Sequence, residues 1–186
     1  SVVNGFGASV MAGYSAAIKL NNLVINSFTT LGNGISNYTG QNLGAGKPER
    51  VRAGLKAGIR MVWLLCVPLV ALYLLCGEAL IRFFMNAPSA LAVESGLQLL
   101  RVVAPFYFVV SVKLAADGIL RGAEMMRAFM VSTLTDLALR VALAVLLSGG
   151  MGTLGVWSAW PIGWCVATGL SLLFYLRRFK KQPVAA

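Results

Sequence analysis

The run Met61–Gly77 holds seventeen consecutive residues without a charge. A helix of about 20 apolar residues crosses a hydrocarbon core of about 30 Å. There the backbone must satisfy its own N–H and C=O groups, and a helix does so within one segment. Similar stretches recur, and the predicted spans are 14–39, 59–84, 97–120, 128–149 and 153–176. Pro68, Pro105 and Pro161 fall in or near them, which membrane helices tolerate because neighbours re-satisfy the freed carbonyls. Only 12% of the 186 residues are charged and 58% are hydrophobic, against about 25% charged in a soluble domain. The expected fold is all-α: a polytopic integral membrane bundle of about five transmembrane helices.

The composition also narrows the chemistry. The chain has no His and six acidic residues, which removes imidazole catalysis and leaves no pattern for a metal site. Cys66, Cys76 and Cys165 lie in apolar stretches without metal-ligand spacing and read as small hydrophobes. No nucleophile stands beside a base, so no enzyme is expected and no catalytic residue is assigned.

The net charge of +10 points to the positive-inside bias and not to nucleic acid, because the basic residues sit between spans. Lys47, Arg50, Arg52, Lys56 and Arg60 flank the first loop. Arg121 and Arg127 flank the third, and Arg177, Arg178, Lys180 and Lys181 lie in the tail. Only Arg82 and Arg101 fall on the other side. The first loop, the third loop and the basic tail 177–186 are therefore expected in the cytoplasm. Residues 1–13 read as the end of a preceding helix and a non-cytoplasmic turn, as in a piece of a longer chain. They carry no basic region of a signal peptide.

Span 14–39 is polar along one face. Ser15, Lys19, Asn22, Asn26, Thr29, Asn33, Asn37 and Gln41 recur at three- and four-residue steps. Such a face cannot meet lipid. It is either the wall of a water-filled cavity, with Asn22, Asn26, Thr29, Asn33 and Asn37 lining it, or interhelical glue. Farther along, Lys113, Asp117 and Arg121 are spaced i, i+4, i+8, as are Ser132, Asp136 and Arg140. Folding a hairpin about residue 124 sets Lys113 level with Asp136, about 15 Å deep. The expectation is a Lys113–Asp136 pair with Asp117 and Arg140 as neighbours, acting either as a structural ion-pair network or as a proton or cation relay.

The segment GQNLGAGKPER lacks the first Gly and the Ser/Thr of a phosphate loop and reads as a helix stop and turn. Gly54–Gly58 and Gly118–Gly122 have the spacing of close helix packing. Trp157, Trp160 and Trp164 read as an interfacial anchor.

GQNLGAGKPERV at 40–51, GILRGAEMM at 118–126 and the lead-in FGASVMAGYSAAIKLNNL at 6–23 resemble the multidrug and toxic compound extrusion (MATE) family. The resemblance implies half of a two-lobe, twelve-helix antiporter, with the N-terminal lobe as partner. Cationic amphipathic compounds would leave in exchange for Na+ or H+, with no other cofactor, across a bacterial inner membrane. The cation-binding acid that some members carry corresponds here to Val110, which leaves coupling to the other lobe or to the Lys113/Asp117/Asp136 group. Sister flippases of anionic lipid-linked cargo suggest an alternative, for which Lys19, Lys113 and Arg140 would suit. A structural or receptor subunit without a transport cycle is a third reading, which the polar stripe argues against.

Overall fold

The computed structural model describes residues 2–85 and 89–179. A 3-10 turn at Val2–Phe6 leads into six helices: α1 Ala8–Gly44, α2 Pro48–Phe83, α3 Ala90–Val103, α4 Tyr107–Gly122, α5 Met126–Met151 and α6 Thr153–Phe179. The described residues contain no strand. Arg177 and Arg178 belong to the last turn of α6, and Lys180 and Lys181 lie outside the described residues.

Helix ends follow the backbone breakers and not the limits of the apolar runs. α1 begins at Ala8, after Gly7 at φ 95°, and ends before Gly46 at φ 69°. It is 37 residues long, about 55 Å, where hydropathy predicts residues 14–39. α2 starts with Pro48 in its first turn, where the missing N–H costs nothing, eleven residues before the predicted 59. The turn between them is closed by Ala45 N–H on Gln41 O (3.0 Å) and Lys47 N–H on Asn42 O (2.8 Å), a helix stop as expected. The third span is two helices, α3 and α4, joined by the 3-10 turn Ala104–Phe106 that contains Pro105. Ser89 caps α3, its Oγ accepting from Ala92 N–H at 3.2 Å.

Four stretches are long and apolar enough to cross a membrane: Pro48–Phe83, Ala90–Gly122, Met126–Met151 and Thr153–Phe179. α1 is the fifth rod, long enough but polar on its outer face. It is held through glycines. Gly32 and Gly118 bring the α1 and α4 backbones together, and Gly122 lies against Ser36 O. Gly54 and Gly58 of α2 receive Tyr38 and Ile35 of α1. Both expected small-residue spacings thus mark close helix contacts.

The turn after α4 is tight, with Glu124 at φ 59° and Met125 N–H on Leu120 O at 2.8 Å. It does not make a packed α4–α5 hairpin. α6 lies between the two and packs along α5. α5 buries only Ser132 and Asp136 and turns Leu134, Leu137, Val141, Val145 and Leu146 outward, a surface suited to hydrocarbon.

The main core gathers Leu20, Val24 and Phe28 of α1, Tyr73 of α2, Tyr107 of α4, and Trp157 and Trp164 of α6. This corrects the anchor reading of the tryptophans. Trp157 and Trp164 are buried, and Trp157 stacks on Tyr14 at 5.4 Å and donates to Gln98 Oε1 at 3.1 Å. Their three- and four-residue steps follow the inner face of α6, which places Trp157 and Trp164 in the core and Trp160 at its edge.

Candidate functional site

Two polar systems stand out against the apolar bundle. The first is the outer face of α1. Asn22, Asn26, Asn33 and Asn37 are exposed and Thr29 is half-buried. Ser15, Lys19 and Gln41 are also exposed. The hydroxyls fold back on their own helix: Thr29 Oγ1 donates to Ile25 O at 2.8 Å, and Thr30 Oγ1 donates to Asn26 O at 2.9 Å. No side chain of these four asparagines makes a hydrogen bond to another helix among the described residues. Within this unit the stripe therefore lacks the cross-helix bonds that glue requires.

The asparagine that does bond across helices is Asn21. It is buried, and its Oδ1 accepts from Tyr107 Oη at 3.1 Å. Tyr73 Oη donates to the neighbouring Leu20 O at 2.8 Å. The signal was present in the sequence: Asn21 is in register with Ala17, Val24 and Phe28, the apolar side of α1.

The second system is the charge network. The expected Lys113–Asp136 pair is not formed. Each charge pairs within its own helix: Lys113 Nζ with Asp117 Oδ2 at 2.6 Å, and Arg140 Nη2 with Asp136 Oδ2 at 3.0 Å. The reason is α6, which separates the helices that a hairpin would have placed face to face. It supplies the link instead. Ser171 Oγ donates to Asp117 Oδ1 at 2.6 Å and lies 2.6 Å from Ser132 Oγ of α5. Ser132 Oγ is also 3.0 Å from Ala167 O. Ser132 stands one turn from Asp136, so all four predicted charges belong to one region, joined by a serine pair. Ser171 was not singled out in the sequence, where nothing marks it apart from other serines in apolar helices.

The two pairs differ in surroundings. Lys113 and Asp117 side chains are 6% and 2% exposed. The Arg140 side chain is 27% exposed, with its guanidinium 5.2 Å from the Trp160 ring centroid. It borders a cleft of about 380 Å³ also lined by Tyr14, Leu137, Val141 and Trp160. Asp136 Oδ1 is buried and has no hydrogen-bond partner among the described residues, as is the case for Arg140 Nε. Gly163 explains the close approach of α6: a Cβ there would lie 2.7 Å from Asp136 Oδ1 and 2.6 Å from Arg140 Cγ. Val110 is buried in the core and its side chain offers no ligand atom. Arg121 of the Leu-Arg-Gly segment lies over the Phe129 ring at 5.5 Å. A groove of about 450 Å³ runs beside the α1–α2 contact, lined by Gly34, Tyr38, Gly54, Gly58 and Met61.

The MatE family model matches residues 1–146. The chain is 28% identical over 176 residues to the probable multidrug resistance protein YpnP of Bacillus subtilis, covering 94% of this chain and 39% of that protein. It is 30% identical over 136 residues to the multidrug resistance protein PmpM of Pseudomonas aeruginosa, covering 72% of this chain and 28% of that one. Among solved structures, a multidrug resistance MATE family transporter in its inward-facing conformation superposes with TM-score 0.85 at 21% identity, over 98% of this chain and 44% of its own. A MOP superfamily transporter from Pyrococcus furiosus, described as having a binding pocket of reverse polarity, superposes with TM-score 0.84 at 21% identity, over 98% and 43%. The chain thus spans less than half the length of each of these relatives.

Proposed function

This chain belongs to the MatE family, whose members are transporters and not enzymes, and on that footing we propose that it serves in a multidrug efflux antiporter of a bacterial inner membrane. In this reading the outer face of α1 is one wall of the substrate cavity. Asn22, Asn26, Thr29, Asn33 and Asn37 offer it amide and hydroxyl groups. The observation that carries the reading is that this polar face, with Lys19 as its one charge, is exposed on a bundle whose other long helices turn apolar side chains outward. Polar groups facing lipid without partners would cost several kcal/mol each, roughly, so the face meets water, substrate or another protein surface. The coupling ion, H+ or Na+, acts through the charge network of Lys113, Asp117, Asp136 and Arg140. The loops after α1 and α4, and the C-terminus, face the cytoplasm.

The test is cysteine substitution at Asn22, Asn26, Thr29, Asn33 and Asn37 in the full-length transporter, followed by a water-soluble thiol reagent. Labelling that a cationic dye such as ethidium blocks is the expected result. Five unlabelled positions would overturn the cavity assignment. One observation favours a second reading. Lys19 is the only charge on this face, so an anionic lipid-linked cargo fits it better than a cation does. Protection by an anionic amphiphile and not by ethidium would select that reading. Reporters fused after Lys47 and near Met151 check the orientation, with only the first expected in the cytoplasm.

A further inference from the structure

The two buried carboxylates present very different sites to an incoming ion. At Asp117 both oxygens are engaged: the Lys113 ammonium holds Oδ2 and the Ser171 hydroxyl donates to Oδ1. At Asp136 the Arg140 guanidinium holds Oδ2, while Oδ1 is buried, unpartnered, and set against the α6 backbone at Gly163. An alkali cation at Asp117 would have to take the place of the resident ammonium, and at Asp136 it would find a single idle oxygen beside a guanidinium, whereas hard cations take several oxygen ligands at once. A proton needs one oxygen. Resting on the efflux reading above, we infer that Asp136 Oδ1 is the seat of a coupling proton, and that its occupancy releases Arg140 toward Trp160 and the adjoining cleft.

The step is a simple protonation. A proton from water, arriving by the cleft that Arg140 borders, bonds to Oδ1 and makes a neutral carboxylic acid; nothing is oxidised or reduced. Arg140 then keeps its charge without its counter-ion. It has somewhere to go: its side chain already reaches the cleft, and the Trp160 ring already faces the guanidinium. The groups around Asp136 are few. Arg140 comes from α5 itself, and the charges of Lys113 and Asp117 reach it from α4. Tyr14 of α1 lies across the cleft near Arg140. α6 presents Gly163 and Trp160, neither of which titrates. Lys113 and Asp117 cancel each other, so the proton decides the charge balance of the α5 pair alone.

The experiment uses the full-length transporter in proteoliposomes. Infrared difference spectra between neutral and acidic buffer should show a protonated-carboxyl band that Asp136→Asn removes. Ser171→Ala, whose hydroxyl bonds Asp117 and Ser132 but neither Asp136 nor Arg140, should leave it. Asp136→Glu keeps a carboxyl should the asparagine variant fail to fold, and should shift the band. A band that survives Asp136→Asn, a glutamate variant with no shift, or a wild type with no band would each overturn the inference. In the same vesicles a pH gradient should drive ethidium extrusion, and Asp136→Asn should abolish that drive. Extrusion driven by a sodium gradient and indifferent to pH sinks the proton assignment but leaves the efflux reading standing. A wild type that extrudes ethidium under neither gradient sinks the efflux reading, while the infrared arm still reports on Asp136.

Discussion

Lys113–Asp117 and Asp136–Arg140 are both ion pairs spaced i, i+4, both inside a membrane bundle, and both carried by helices that touch α6. They differ in closure. The α4 pair is sealed, with every carboxylate oxygen bonded and both side chains nearly inaccessible. The α5 pair is half-satisfied, with one oxygen idle and one partner leaning into a cleft. A sealed pair breaks only at high cost, which is what a brace requires. An open pair has a second arrangement within reach, which is what a switch requires. Similar sequence spacing has produced both, and the neighbouring helix decides which is which.

The contrast is best broken on the sealed side. Lys113→Met or Asp117→Asn leaves one buried charge alone and should cost roughly 3–5 kcal/mol, read as lost thermal stability of the full-length protein in detergent. Lys113→Met combined with Asp117→Asn should cost less than either single change, because no uncompensated charge remains. Equal or additive losses would show that the pair is not the brace described.

Gly163→Ala acts on the open side. Its Cβ would meet Asp136 Oδ1 at 2.7 Å, so α6 must move away. Overpacking of this kind costs about 1–3 kcal/mol. It should impair pH-driven dye extrusion more than Ser171→Ala does. Ser171→Ala removes a donor from Asp117 Oδ1 and should cost about 1–3 kcal/mol through the unsatisfied oxygen, with coupling intact. Extrusion hurt more by Ser171→Ala would reverse the assignment of brace and switch.

The smallest effect is expected at Trp160. Trp160→Leu keeps an apolar side chain but removes the ring facing Arg140. It should cost about 0.5–2 kcal/mol and shift the pH at which extrusion is half-maximal without abolishing it. An unchanged pH profile would show that Arg140 does not depend on that ring.

Much of this was legible in the sequence. The charge-free run at Met61–Gly77, the Gly46–Pro48 stop and the turn near Glu124 each rest on local physics: hydrocarbon length, backbone conformation and a missing N–H. The polar side of α1 was likewise readable from three- and four-residue steps, because a helix fixes which side chains share a face. The partners of those faces were not. Hydropathy placed Trp157 and Trp164 at an interface, yet Tyr14 of α1 and Gln98 of α3 pack on the first and Tyr107 of α4 on the second. Helical spacing singled out Lys113, Asp117, Asp136 and Arg140, and a hairpin then paired them wrongly. The i, i+4 geometry already allowed each acid its own base. What the spacing could not reveal was α6 standing between α4 and α5, with Ser171 reaching one acid and Gly163 crowding the other. Periodicity is a property of one helix and is written in its own residues. Which helix fills the space beside it depends on side-chain volumes from distant segments fitting at once, and only the folded bundle settles that.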